Sequence, residues 1–136
     1  DKLNEHIAAH PDFMLVASFH PGYQRGFKEL KPSTRQRFVA IPFHYPQKEA
    51  EIQILVNESG ITHEEAGKLV KIGQKIRNLE EVGLAETVST RLLVDAAKLI
   101  HSGLPRRLAV KSAVIEPLTD DQQVLEALTD LSNLMI

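Results

Sequence analysis

The sequence predicts a mostly α-helical protein in which the end of an α/β layer, two strands and a short helix, precedes a bundle of five helices. Two short apolar runs lie before residue 46, and amphipathic segments separated by Gly, Pro, Ser or Thr follow to the end of the chain. The 136 residues are 43% hydrophobic and 25% charged but only 5% aromatic, so aliphatic side chains must fill the core. We therefore predict two domains, residues 1–46 and 47–136.

The first predicted domain holds two strands. The runs FMLVASF (13–19) and FVAIPF (38–43) are flanked by Pro or Gly and have the composition of buried strands. Between them, Pro32 in KPSTRQR marks the start of a single helical turn. Two strands and one short helix cannot bury both faces of a sheet, which indicates that the rest of the layer is missing. The chain also begins at Asp1 without Met, as a processed product or a piece of a longer protein would.

The second predicted domain consists of helices with clear start and stop signals. Gly60 caps the first of them at its C-terminus. Thr62 and Glu65 form a capping box at the start of the second. The predicted helical segments, with their flanking signals, are 47–60, 62–79, 89–103, 105–118 and 119–136. Short turns between them predict a small bundle.

Composition excludes several classes of partner and site. A net charge of −2 gives no electrostatic reason to expect nucleic acid or an anionic membrane as partner. The absence of cysteine rules out disulfides and thiolate metal sites. No apolar run approaches the roughly 20 residues that span a bilayer, and no signal peptide opens the chain. We expect a cytoplasmic protein without membrane insertion.

The segment GITHEEAGKL (60–69) superficially resembles a phosphate-binding loop. Six residues separate Gly60 from Gly67, however, and Leu69 stands where Ser or Thr would bind magnesium. The segment also belongs to an amphipathic helix. We reject it as a nucleotide site.

Two further clusters have simple explanations. His6 and His10 are spaced to share a helix face and bind a metal, but no third ligand is near, so we interpret them as solvent-exposed and predict no metal site. Arg106, Arg107 and Lys111 form a small basic face, which is more often solvated helix surface than a binding patch.

The arginines before the second strand indicate a phosphate-directed function. His20 follows the first strand at its carboxyl end, where α/β folds place ligand-contacting groups. Arg35 and Arg37 could reach a neighbouring subunit and stabilise charge on a transferred phosphoryl group. Arg91 starts a helix of the bundle. The alternative is a non-catalytic helical docking or adaptor module, in which each arginine makes a solvated salt bridge at a helix end.

Several motifs in order resemble the MoxR-type AAA+ ATPases, most closely the CbbQ/NirQ/NorQ branch. The motifs are HPDFMLVASFHPGYQ (sensor-1 strand and loop), LKPSTRQRFVAIPFHYP (arginine-finger helix and next strand), ETVSTRLLVDAAKLI (sensor-2 helix) and VIEPLTDD (C-terminal signature). The resemblance implies an ATP-driven remodelling chaperone that assembles as a homo-oligomeric, typically hexameric, ring. It also implies a partner with a von Willebrand factor A domain and a metalloenzyme client, such as Rubisco or nitric oxide reductase.

The resemblance also implies roles for individual residues. Arg37 matches the arginine finger supplied in trans, with Arg35 as its companion. Arg91 matches sensor 2, which contacts the γ-phosphate and couples it to movement of the helical lid. His20 stands where the family usually has asparagine, whose amide donates to phosphate and accepts from the attacking water at once. Histidine does both only as the neutral ring in one tautomer, which would make catalysis weak or dependent on pH.

The family's Walker A loop and Walker B acidic residues do not occur in this sequence; in the family they precede these motifs. The resemblance implies a longer parent protein that carries these motifs, binds ATP and Mg²⁺ and hydrolyses ATP. For the 136-residue chain alone we expect neither cofactor binding nor ATP turnover.

Overall fold

The computed structural model describes residues 7–18, 31–79 and 87–136. The chain divides into two units, residues 1–39 and 40–136, and each is considered by itself. The described residues are mostly helical, which confirms the predicted class. The predicted domain boundary at residue 46 stays a prediction.

The first unit contains the predicted single helical turn. Helix α1 spans Pro32–Arg35, with Pro32 at its first position. Proline is suited to that position because its missing N–H would have no partner in the helix anyway. The Arg35 N–H donates to the Lys31 carbonyl at 3.0 Å and closes the turn.

The two predicted strands are not seen in the described residues. Positions 13–18 and 38–43 have no regular secondary structure, and Phe19 lies outside the described ranges. Apart from Phe38, which is half-buried, their large apolar side chains in the described residues are exposed, Val39 by 93% and Phe43 by 92%. A strand exists only through hydrogen bonds to a neighbouring strand, and the described chain supplies no such neighbour. The composition of these runs therefore indicates strand propensity without pairing.

The second unit holds the predicted bundle. Its α-helices are α2 (Lys48–Ser59), α3 (His63–Arg77), α4 (Thr90–His101), α5 (Arg106–Val110) and α6 (Gln122–Asn133). In the described ranges, no helix combines the length and apolarity that crossing a membrane would need.

The helix ends follow local signals. Gly60 adopts the left-handed conformation with φ 78°, and its N–H donates to the Val56 carbonyl at 2.9 Å, as predicted for the end of α2. The Thr62 hydroxyl accepts the Glu65 N–H at 3.3 Å at the start of α3. This bond confirms the first half of the predicted capping box. The Thr62 hydroxyl in turn donates to Glu65 Oε2 at 3.3 Å. Ser89 caps α4 in the same way.

The helix predicted over 105–118 changes its winding. Helix α5 ends at Val110 and continues as a π-helical turn, Lys111–Ile115, and a 3₁₀ turn, Glu116–Leu118. Pro117 lacks an N–H and its ring would collide with the carbonyl four residues before it, so a regular α-helix cannot pass through it. In the wider turn the Glu116 N–H donates to the Lys111 carbonyl, five residues back.

Aliphatic side chains from every helix of the bundle fill one core. The largest fully buried ones are Leu55, Val70, Ile72, Ile76, Leu93, Val110, Val114, Ile115 and Leu128. The sequence predicts an apolar stripe on α3 from the helical spacing of Ala66, Leu69, Val70, Ile72 and Ile76, and all five are buried.

Gly73→Ala tests how closely α3 and α4 pack. A Cβ at Gly73 would lie 2.9 Å from Leu93 Cδ1 and 3.2 Å from Leu93 Cδ2, and Leu93 is fully buried. Overpacking costs about 1–3 kcal/mol, whereas alanine in place of glycine favours a helix by about 1 kcal/mol. We expect a net loss of about 1 kcal/mol in the free energy of unfolding, measured by urea denaturation of the 136-residue chain.

Gly67→Ala is the matched control in the same helix. Its Cβ would meet Ile52 Cδ1 at 3.8 Å, an ordinary contact, so helix propensity should dominate and the free energy of unfolding should rise. Equal shifts in the two variants would contradict close packing at Gly73.

Candidate functional site

The structure places Arg35 and Arg37 on one surface turn of the first unit. Arg35 is the last residue of α1, and the backbone N–H of Arg37 donates to the Thr34 carbonyl at 3.1 Å. Both arginines are exposed. The Arg37 side chain forms no hydrogen bond or ion pair with any residue that the structure describes, so its guanidinium is open to an external group. His20 lies outside the described residues.

Arg91 occupies the second position of α4 in the other unit. Its side chain is exposed, and the first turn of α4 contains no acidic residue. Within the described part of the chain, no carboxylate pairs with it. A cation at a helix N-terminus opposes the helix dipole, whereas the same N-terminus attracts anions. Arg91 therefore destabilises α4 slightly, but its position favours binding of an anionic ligand.

A buried ion pair lies beside this helix start. The Arg77 guanidinium, at the end of α3, donates to both carboxylate oxygens of Glu51 in α2, at 2.9 and 2.7 Å. The Glu51 side chain is 0% exposed and that of Arg77 is 8% exposed. The Thr90 hydroxyl donates to the same carboxylate at 2.8 Å, and Arg77 Nε donates to the Val88 carbonyl at 2.7 Å. Such hydrogen bonding is what makes a buried charge pair tolerable.

An aromatic ring completes this network. The Arg77 guanidinium carbon lies 3.9 Å from the centre of the Tyr45 ring, a cation–π contact. We call Tyr45, Glu51, Arg77 and Thr90 the Arg77 network. It joins the segment before α2, the first turn of α2, the end of α3 and the start of α4.

The Arg77 network was not predicted from the sequence. The apolar positions predicted for α2 are Ala50, Ile52, Ile54 and Leu55; Ile52 and Leu55 are buried, whereas Ala50 and Ile54 are exposed. The buried face of α2 also carries Glu51 and Ser59, which lie four residues before and after Leu55. The sequence does place Glu51 four residues before Leu55, on the same face of α2. This spacing is only a weak sign of a buried carboxylate, because long charged side chains on an apolar face commonly reach solvent.

The basic face predicted on α5 is largely paired. Arg106 donates to Glu65 at 3.0 Å, and Lys111 Nζ lies 3.7 Å from Glu116 Oε1. Arg107 is exposed, without a hydrogen bond or ion pair to the residues the structure describes. These contacts support the interpretation as solvated helix surface.

The Arg106 hydrogen bond lowers the pKa of the Glu65 carboxyl below its ordinary value. Because the folded pKa is the lower one, the stabilisation is present above the unfolded pKa, about 4.3, and is lost as pH falls through the folded pKa. We expect Arg106→Ala to raise the pKa of Glu65 toward the ordinary value in a carboxyl NMR titration. Arg107→Ala is the control and should leave it unchanged. An unchanged Glu65 pKa in Arg106→Ala would contradict the contact.

A shallow groove open to solvent lies between α2 and α3. His63 Nε2 lies 2.9 Å from Glu49 Oε1, and Lys68 Nζ donates to Glu64 at 2.7 Å. These hydrogen bonds lower the pKa of both carboxyls. The charged groups of the groove are largely paired with one another, and we assign it no ligand.

The two histidines considered for a metal are only partly described. His10 Nδ1 accepts the Asp12 N–H at 3.2 Å, and His6 lies outside the described residues. Across residues 7–18, 31–79 and 87–136, no three potential metal ligands come together.

Comparison with known proteins places these features in a family. Residues 51–135 match the family model described as CbbQ/NirQ/NorQ C-terminal. The chain is 48% identical over 136 residues to the denitrification regulatory protein NirQ of Pseudomonas aeruginosa, covering 100% of this chain and 52% of that protein. It is 49% identical over 132 residues to the protein NorQ of Paracoccus denitrificans, covering 97% and 49%. It is 47% identical over 128 residues to the protein CbbQ of Hydrogenophilus thermoluteolus, covering 94% and 48%.

The chain thus spans about half the length of the relatives it matches. The resemblance drawn from its motifs is confirmed at the level of the branch. The chain belongs to the CbbQ/NirQ/NorQ C-terminal family.

Proposed function

We propose that this chain is the C-terminal part of a MoxR-type AAA+ ATPase whose complete form couples ATP binding and hydrolysis to remodelling of a client protein. The observation that carries the proposal is similarity to NirQ, NorQ and CbbQ over nearly the whole chain. The exposed cation at the start of α4, Arg91, supports it because that position suits a phosphate.

The proposed roles divide between the two units. Arg91 contacts the γ-phosphate from the helical lid as sensor 2. Arg37, with Arg35 beside it, reaches the nucleotide of the neighbouring subunit in a hexameric ring. Its open guanidinium suits charge on the transferred phosphoryl group. The proposal assigns His20 the sensor-1 role toward the attacking water. ATP and Mg²⁺ are held mainly by residues outside this sequence.

The exposed apolar runs suit a larger α/β layer. In the complete protein, 13–19 and 38–43 pair with further strands and lose their exposure to water. The 93% exposure of Val39 and 92% exposure of Phe43 support this part of the proposal.

The client is a metalloenzyme or similar assembly, of the Rubisco or nitric oxide reductase activation type. The remodelling reaction takes place in the cytoplasm together with a partner that carries a von Willebrand factor A domain. Identities of 48%, 49% and 47% to NirQ, NorQ and CbbQ do not favour one client over another.

Arg91→Ala in the complete protein tests the proposal. We expect ATP hydrolysis to fall by at least about tenfold, because a donor to the transferred phosphoryl group is lost. Arg107→Ala removes another exposed arginine from the same unit and should leave hydrolysis unchanged. Equal rates in the two variants would contradict a nucleotide-sensing Arg91 and favour the docking or adaptor alternative.

A further inference from the structure

We infer that the Arg77 network is a positioning device that holds Arg91 in the geometry needed to sense the γ-phosphate. The inference rests on the proposed function, because it takes Arg91 to contact nucleotide. It assigns a role in that function to Thr90, Glu51 and Arg77, none of which is placed to contact phosphate in the proposal.

The chain that leads into Arg91 is held at two points. Arg77 Nε donates to the Val88 carbonyl at 2.7 Å, and the Thr90 hydroxyl donates to Glu51 at 2.8 Å. Val88 is fully buried. Both attachments lie within three residues of Arg91, so they restrict where its backbone can lie relative to α2 and α3.

Other contacts at this helix start do not supply the same constraint. The Ser89 hydroxyl accepts the Leu92 N–H at 3.4 Å, a bond within α4 that leaves its placement against α2 and α3 open. Leu93 packs closely against Gly73 and restricts α4 against α3, whereas the Thr90 hydroxyl adds a directional contact to α2 at the first turn of α4. The hydrogen bonds to the Glu51 carboxylate have defined directions and therefore set the placement of the first turn.

The cost of burying charge also favours a positioning role. A buried ion pair is often no more stabilising than apolar side chains of similar volume. The network nevertheless places a carboxylate that is 0% exposed against an arginine that is 8% exposed. Compared with apolar side chains, the charged pair adds hydrogen bonds of defined direction. One of them holds Thr90, the residue before Arg91.

The network also reaches the segment that enters the bundle. The Tyr45 ring that contacts Arg77 lies between the second predicted strand, 38–43, and α2. One guanidinium therefore contacts both this connecting segment and the chain before Arg91.

Thr90→Val in the complete protein tests the inference. The substitution keeps the shape of the side chain but replaces the hydroxyl that donates a hydrogen bond to Glu51 with a methyl group. We expect ATP affinity to fall about threefold or more while ADP affinity is unchanged, because Arg91 contacts only the γ-phosphate. Fluorescent ATP and ADP analogues provide both affinities. Thr90→Ser retains the hydroxyl and should restore the ATP preference.

Thr129→Val is the matched control. Its hydroxyl is also partly buried, and it donates to the Leu125 carbonyl at 2.7 Å within α6. If Thr129→Val lowers the ATP preference as much as Thr90→Val does, the effect is general destabilisation and the inference is overturned.

A double variant separates failure of the inference from failure of the proposed function. If Thr90 acts through Arg91, Thr90→Val should lower ATP affinity no further in an Arg91→Ala background. Additive losses would overturn the positioning role while leaving Arg91 as the nucleotide contact. An Arg91→Ala variant that binds ATP and ADP as the unchanged protein does would instead refute the proposed function of Arg91, and the inference would fall with it.

Discussion

Arg37→Ala in the complete protein is expected to abolish ATP hydrolysis while ATP binding persists. An arginine finger stabilises charge that develops mainly in the transition state, and losing one lowers the rate by about 10³–10⁵. The exposed Arg37 side chain forms no hydrogen bond or ion pair within the described residues, so its removal should cost the fold little. Steady-state hydrolysis and equilibrium binding of an ATP analogue measure the two effects separately.

Two controls make this result specific. Gln36→Ala alters the neighbouring exposed residue and should leave hydrolysis unchanged. Arg37→Lys keeps the charge but loses the planar fork, so it should recover little activity. Unchanged hydrolysis in Arg37→Ala would contradict the finger and support the adaptor alternative.

Mixing subunits tests whether Arg37 acts in trans. Under the proposed function, an active site combines Arg91 of the subunit that binds the nucleotide with Arg37 of the neighbouring subunit. A ring that combines Arg37→Ala and Arg91→Ala subunits restores some intact sites, so the mixture should be more active than either variant alone. Activity no higher than the average of the two variants would place both arginines in one subunit's site.

Arg77→Ala is expected to destabilise the helical bundle by about 3–5 kcal/mol, because it leaves a buried carboxylate without its partner. Glu51 is 0% exposed and cannot turn to solvent without moving α2. Small domains unfold with only about 5–15 kcal/mol, so the loss takes a large part of the stability. Urea denaturation of the 136-residue chain measures it, with Arg107→Ala as the exposed control.

A double replacement distinguishes lost charge pairing from lost volume. Glu51→Leu combined with Arg77→Met removes both charges and keeps apolar volume, and such replacements of buried pairs are often neutral or stabilising. We expect the double variant to be more stable than Arg77→Ala. If it is less stable, the network stabilises the fold beyond its charge pairing and that expectation is wrong.

The same double variant connects stability with function. It should fold, yet in the complete protein it should lose the preference for ATP over ADP, because the Glu51 carboxylate that orients Thr90 is gone. A stable double variant with normal nucleotide preference would contradict the positioning role of the Arg77 network.

Helix ends were predictable because their causes are local. Gly60 ends α2 through its left-handed conformation, and Thr62 and Ser89 start α3 and α4 through hydrogen bonds that span three residues. The family motifs around Arg37 and Arg91 are contiguous stretches as well. Local signals therefore determined the order of the helices and the candidate arginines.

The predicted strands depended on partners that the described chain does not supply. Apolar residues at 13–18 and 38–43 have the composition of strands, but pairing is a property of two segments. The π-helical turn before Pro117 was likewise unpredicted, although its cause is local, because a proline signal locates a break without specifying how the preceding turn rewinds.

Local patterns in the sequence were enough to indicate the family, the order of the helices, most of their ends and the candidate arginines. The burial of Glu51 and its pairing with Arg77, 26 positions along the chain, depend on how the helices pack. Helix periodicity predicts which face of a helix carries a side chain. Which residue of another helix that side chain contacts depends on how the helices pack. The hydrogen bonds that hold the start of α4 therefore exist only once α2, α3 and α4 have come together.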